Sequence, residues 1–114
     1  MRIKREDSIA VVVDIQERLL PHISEGDNVL SNSLKLIDGL KVLSVPFIIT
    51  QQYTRGLGPT HPDISARFPG IGHVEKISFS CCGEPSFTEK LKNAGKKNVI
   101  LLGIETHVCV LQTC

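Results

Sequence analysis

Residues Ser8-Ile9-Ala10-Val11-Val12-Val13 form an unbroken, largely β-branched run that stops at a carboxylate, Asp14. A strand with one wet face alternates apolar and polar residues, and this run offers no polar position between Ile9 and Val13. It therefore predicts a strand buried on both faces, the hallmark of a parallel sheet. Parallel neighbours need crossovers, and the chain supplies them. Leu30, Leu34, Ile37, Leu40 and Leu43 recur at helical spacing with Asn32, Lys35, Asp38 and Lys41 between them. Asp27 is placed to cap that helix and Pro46 to end it. Phe47-Ile48-Ile49-Thr50-Gln51 reads as the second strand, His73 to Ile77 as a short third, and Asn98 to Leu102 as the fourth. Before the fourth, Pro85 suits a first helical turn, Phe87 and Leu91 share its inner face, and Gly95 suits its C-terminal cap.

Two segments break this alternation. Glu17 to Ile23 is interrupted by Pro21 and amounts to one or two helical turns. From Gln52 to about Gly72 the chain carries Gly56, Gly58, Pro59, Pro62, Pro69 and Gly70, so little regular structure is expected there. Loops of that length in compact domains are functional lids or disordered. With Tyr53, Leu57, Ile64 and Phe68 inside it, this one reads as an ordered loop over the mouth of the sheet. The pattern predicts a single domain over residues 1–114 with an α/β fold. Its architecture is a doubly wound, mostly parallel sheet with helices on both faces, a Rossmann-like three-layer α/β/α arrangement.

Charge and cysteines narrow the function. Thirteen basic against twelve acidic residues leave a net charge of +1, which gives no footprint for nucleic acid or an anionic membrane surface. The first seven residues are too charged for a signal peptide, and no apolar stretch approaches a membrane span. Cys81 and Cys82 are adjacent, and Cys109 and Cys114 share one predicted helix, so the four cysteines do not look like a disulfide framework. Free thiols and a cytoplasmic location are the expectation. Cys81 and Cys82 read as small buried hydrophobes, with a vicinal disulfide as the alternative.

In doubly wound sheets, ligands bind outside the carboxyl ends of the strands. Three chemically loaded residues fall there: Asp14, Lys76 and Cys109. Cys109 follows Val99-Ile100-Leu101-Leu102 and the turn Gly103-Ile104-Glu105-Thr106-His107-Val108, at the start of a predicted helix. Unpaired N–H groups and the positive end of a helix dipole favour thiolate over thiol at such a position. The same cysteine also fits a small hydrophobe on an amphipathic helix. Taken singly, Asp14 could be a turn or helix cap, Lys76 a solvated strand-edge lysine, Gln51 an ordinary strand terminus, and His107 an exposed or satisfied side chain.

In combination and in order, the segments resemble a known family. Asp14 with Gln16, then Thr50-Gln51-Gln52-Tyr53, Gly56-Leu57-Gly58, Glu75-Lys76, Ser78-Phe79-Ser80-Cys81 and Gly103 to Val110 look like the isochorismatase-like cysteine hydrolases. The Tyr-x-x-Gly-Leu-Gly and Ser-Phe-Ser-Cys segments are similar to its isochorismatase-domain and YcaC-like branch. The resemblance implies a triad of Cys109 as nucleophile, Asp14 as base and acid, and Lys76 as electrostatic partner. It implies substrate-binding or oxyanion roles for Gln16, Gln51, Ile104, Glu105 and Val108, with a cis peptide between Ile104 and Glu105. It further implies hydrolysis of a small amide or related C–N bond, a small-molecule substrate, and a homo-oligomer.

Departures from the family pattern shape the expectation. The Asp-x-His metal motif of nicotinamidases is replaced by Gly58-Pro59-Thr60-His61-Pro62-Asp63, so neither a metal nor another cofactor is expected. True isochorismatases often lack the cysteine, so Cys109 argues against vinyl-ether hydrolysis. The resemblance implies further strands and helices after Cys114, without which the fourth strand would be an apolar edge, so either a partial chain or a partner that supplies the cover is expected. A catalytically silent interaction module and a thiol redox protein are the competing readings. The spacing of Cys109 and Cys114 on a helix disfavours a bridge between them.

Overall fold

A computed structural model describes residues 3–23, 25–76 and 81–104, the side chain of Cys82 aside. The first strand, β1, covers Ser8–Val13, and every one of its residues is buried. Helix α1 runs Gly26–Val42 and leads into β2, Phe47–Gln52. Two single turns follow, α2 at Thr54–Leu57 and α3 at Pro62–Ser65, and then β3 at Val74–Lys76. Helix α4, Pro85–Ala94, crosses back to β4, Asn98–Gly103. The four strands are all parallel, in the order β3-β2-β1-β4.

This order puts β1 inside the sheet, as its unbroken apolar run requires. Alternation along each strand divides the core in two. Ala10, Val12, Ile49, Leu102 and Ile104 pack with Ile37 and Leu40 of α1 and with Ile64 and Phe68. Ile9, Val11, Val13, Ile48 and Val74 pack on the other face with Cys81 and with Phe87 of α4. Full burial of a side chain such as Ile37 or Phe87 contributes roughly 1.5–3 kcal/mol, so both layers hold the sheet.

Local signals held in places and failed in others. Gly95 closes α4 at φ 63°, a left-handed value that suits glycine, and its N–H bonds to the Lys92 carbonyl. Asp27 does not cap α1. It lies inside the first turn, and the N-cap position falls on Glu25 at φ 56°. Leu43, expected on the inner stripe of α1, is the residue after the helix and is 44% exposed. A short 3-10 turn at Leu20–His22 is what remains of the Pro21 segment.

The segment between β2 and β3 is ordered by pairing. His61 N–H bonds to Ile15 O at 2.8 Å, Glu17 N–H to Pro59 O at 2.9 Å, and Arg18 N–H to Leu57 O at 3.2 Å. Gln16 and Thr60 form an antiparallel bridge. The residues after β1 and the segment 57–61 are thereby zipped together at the carboxyl end of the sheet. Ile64 and Phe68 anchor the rest of the loop in the core.

Candidate active site

Asp14 immediately follows β1. Strict alternation after Val13 would send its side chain to the α1 face of the sheet. Instead Asp14 adopts φ 53°, a left-handed conformation uncommon for a residue with a Cβ, and its carboxylate lies with Thr50 on the α4 face. Its N–H bonds to Thr50 O at 3.3 Å, and its own carbonyl accepts from Gln16 N–H at 3.0 Å. The turn that aims the carboxylate is thus held on both sides.

Lys76 ends β3, two strands away. The register sets Gln52 opposite Lys76 and Thr50 opposite Val13, so Thr50, Gln52 and Lys76 share the α4 face. The lysine reaches across β2, and its Nζ lies 2.7 Å from Asp14 Oδ2 with both side chains sealed from solvent. The same ammonium donates to Gln52 Oε1 at 2.8 Å. A lysine is almost never fully buried without a partner, and here the partner is a carboxylate. On the other oxygen, Thr50 Oγ1–H donates to Asp14 Oδ1 at 2.8 Å. Oδ2 has its charge partner in Lys76 but meets no hydrogen-bond donor in good geometry among the described residues.

The remaining candidates divide between the faces. Gln16 is fully buried, and its amide is committed to backbone. Nε2 donates to Gln52 O at 2.9 Å and Gly58 O at 2.7 Å, while Oε1 accepts from Gln52 N–H at 2.7 Å. Gln51 points to the opposite face from Lys76. Its Oε1 accepts from Thr60 N–H at 3.0 Å and Thr60 Oγ1 at 2.9 Å, and its Nε2 donates to Thr54 Oγ1 at 2.9 Å. Ile104 is buried in the core on the α1 side. Cys109, Glu105 and Val108 lie outside the described residues, as does the Ile104–Glu105 peptide bond.

Glu75 sits beside Lys76 on β3 but faces the other way. Its Oε2 accepts from Thr54 N–H at 2.9 Å, its Oε1 also accepts the Thr54 hydroxyl, and His73 Nε2 lies 3.1 Å from Oε1. Slight burial pushes the Glu75 carboxyl up, but the Thr54 hydrogen bonds and the His73 ring outweigh it and hold the group below its ordinary value. Among the described residues no three His, Cys, Asp or Glu side chains converge as metal ligands. His61 Nδ1 instead accepts from Asp63 N–H at 3.2 Å and starts α3. A groove of about 420 Å³, lined by Glu17, Leu20, Pro21, Asp27, Leu30, His61 and Pro62, is walled by neither Asp14 nor Lys76. No helix among the described residues is long and apolar enough to cross a membrane.

Thr50 and Gln52 are site residues to which the sequence assigned no role beyond their place in the Thr50-Gln51-Gln52-Tyr53 segment. A threonine inside a strand is ordinary composition. Only period-two alternation from Thr50 to Gln52, combined with the β2–β3 register, places both on the face of Lys76.

Fold and site together define an α/β protein with a sealed carboxylate–ammonium pair at the carboxyl edge of a parallel sheet. The isochorismatase domain model matches residues 8–114, and the chain belongs to that family. Isochorismatase domain-containing protein 2 of Danio rerio is 38% identical over 113 residues, an alignment that takes in 98% of this chain and 56% of the relative. The structure of MAR1 ribonuclease from Caenorhabditis elegans matches with TM-score 0.89 at 39% identity, over 99% of this chain and 58% of that one. The YcaC gene product of Escherichia coli, described as an octameric hydrolase of unknown specificity, matches with TM-score 0.92 at 30% identity, over 99% of this chain and 57% of that one. The chain thus spans a little over half the length of the relatives it matches.

Proposed function

We propose that this chain carries a cysteine hydrolase site that cleaves a small amide or related C–N bond. Cys109 is the nucleophile, Asp14 the base and then the acid, and Lys76 the electrostatic partner. The observation that carries the reading is the buried Asp14–Lys76 pair, whose Oδ2 has a vacant acceptor position among the described residues. Structural ion pairs are poor investments in a core, and a sealed pair at the carboxyl edge of a parallel sheet favours chemistry over stability. The β1–β4 register adds support. Gly103 is opposite Val13, so the chain enters the 104–109 segment beside the strand that delivers Asp14.

The steps balance within this set. Asp14 Oδ2 takes the thiol proton of Cys109, and the thiolate attacks the amide carbonyl. Backbone N–H groups of Ile104, Glu105 and Val108 are assigned to hold the resulting oxyanion. Collapse breaks the C–N bond, and Asp14 returns its proton to the leaving amine. Lys76 beside Oδ2 balances the charge of the carboxylate once the proton has left. Water then enters, gives its proton to Asp14, and attacks the thioester. The carboxylic acid leaves, and the thiolate regains the proton. Gln16 acts by fixing Gln52 to Gly58, and Gln51 by holding Thr54 and Thr60. No metal or cofactor enters these steps. A homo-oligomer is the assembly we favour, in line with the octameric YcaC relative. A small uncharged substrate is favoured over RNA, despite the ribonuclease name of one neighbour, because a net charge of +1 offers phosphates little attraction.

Ammonia release from a panel of small amides tests the proposal. Cys109→Ala is expected to abolish turnover while circular dichroism shows the fold intact, and the double variant Asp14→Asn with Lys76→Met, which removes both charges of the buried pair, is expected to abolish it as well. Undiminished release from Cys109→Ala would sink the mechanism. Silence of the wild type across the panel, with Cys109 unreactive toward iodoacetamide, would favour the interaction-module alternative.

A further inference from the structure

Thr50 is fully buried in the middle of the sheet, and its hydroxyl has a single proton. Among the described residues two acceptors are in reach, Asp14 Oδ1 at 2.8 Å and Val12 O at 3.5 Å, and the shorter contact to the carboxylate wins. With its proton given to Asp14, Thr50 Oγ1 is left as an acceptor. The buried thiol of Cys81 lies 3.9 Å away and donates to it. The order along the chain is therefore Cys81 S–H to Thr50 O–H to Asp14 Oδ1.

We infer that Thr50 is a positioning residue for Asp14, and that the Cys81–Thr50 relay commits Oδ1 and leaves Oδ2 as the sole proton-accepting oxygen. The torsion of an aspartate carboxylate about χ2 is broad and nearly two-fold, so without such a pin the two oxygens would exchange. Lys76 is the charged group that faces Asp14 among the described residues, and it lies on Oδ2. The two oxygens are thus differentiated from both sides. The inference also gives Cys81 a role distinct from a small hydrophobe, as a thiol that donates to the Thr50 hydroxyl. It rests on Asp14 acting as the base in the proposed reaction.

Two readouts on the intact protein test it. In the infrared, the S–H stretch of Cys81, identified by its loss in Cys81→Ala, is expected at a hydrogen-bonded position. Thr50→Val moves it to higher wavenumber, and Thr50→Ser restores it. Alkylation of Cys109 by iodoacetamide, followed by peptide mass spectrometry against pH, is the second. A hydrogen bond to a charged group is worth roughly tenfold or more, so the acid limb in Thr50→Val is expected about one pH unit higher, with Thr50→Ser unmoved. A wild-type band at the free-thiol position overturns the relay, and this measurement stands even if Thr50→Val does not fold. A Thr50→Val acid limb that coincides with wild type overturns the positioning role. Full Cys109 reactivity in Asp14→Asn would instead refute the base assignment, while the infrared result stands or falls separately.

Discussion

Replacing Lys76 with methionine isolates what the buried ion pair does for the fold. Methionine keeps most of the aliphatic stem and removes the ammonium, so Asp14 loses its charge partner and, among the described residues, keeps the Thr50 hydroxyl on Oδ1. At 2.7 Å and an effective dielectric of about 20, the lost attraction is about 6 kcal/mol. Part of that had already offset the desolvation of the ammonium, which methionine no longer incurs, so a net destabilisation of roughly 3–5 kcal/mol is expected. This is a large share of the ~5–15 kcal/mol that keeps a domain folded. Equilibrium urea unfolding, read by circular dichroism, measures it as a fall in midpoint at unchanged slope. The double variant Asp14→Asn with Lys76→Met removes both charges, and it is expected to recover most of the loss. A Lys76→Met cost below about 1 kcal/mol, or a double variant as unstable as the two single losses summed, would refute this reasoning.

Gln16→Ala removes three hydrogen bonds to the backbone of Gln52 and Gly58. At about 1 kcal/mol each the expected loss is roughly 3 kcal/mol, and hydrogen exchange at the Gln52 amide should accelerate with it. In Gly56→Ala, the new Cβ would stand 2.4 Å from Cε2 of Tyr53, so the ring must swing aside. The ring is exposed, so the stability change is expected below about 1 kcal/mol, and the lone tyrosine of this tryptophan-free chain should report the move in its fluorescence. Glu75→Gln addresses the carboxyl held below its ordinary value by Thr54 and His73. Such a group stabilises the fold above its unfolded-state value and loses that contribution as pH falls through the folded one. The wild-type advantage over Glu75→Gln should therefore be full near neutral pH and vanish in acid. With the Glu75 side chain 48% exposed, solvent screening keeps it below about 1 kcal/mol.

Much of the sheet could be read from the sequence because β1 leaves no alternative. Five consecutive apolar residues ending in Asp14 fit only a strand covered on both faces, and β2 and β4 pair with it on either side. Helix α4 was similarly plain, since Pro85, Phe87, Leu91 and Gly95 mark its start, inner face and end. Asp27 failed because capping depends on where the preceding turn releases the chain, and Glu25 in a left-handed conformation fixed that point two residues earlier. Lys76 could not be read as buried from its neighbours. Its environment is made by β2 and by Asp14, across a register that no local pattern encodes. The same register separates Gln51 from Gln52, adjacent in sequence and similar in chemistry, onto opposite faces. One braces the loop through Thr54 and Thr60, and the other holds the lysine.

The reach of Lys76 across β2 also bears on how the chain acquires its shape. Asp14 and Lys76 are about sixty positions apart in sequence, and no contact between them can form until β1, β2 and β3 lie side by side. The pair therefore belongs to the late side of the folding barrier. Substitutions at Lys76 should speed unfolding and leave the refolding rate nearly untouched, whereas truncations in the β1–β2 core should slow refolding. A latch closed last, and across three strands, makes the lifetime of the native state depend on the two charges sealed at the carboxyl edge of its sheet.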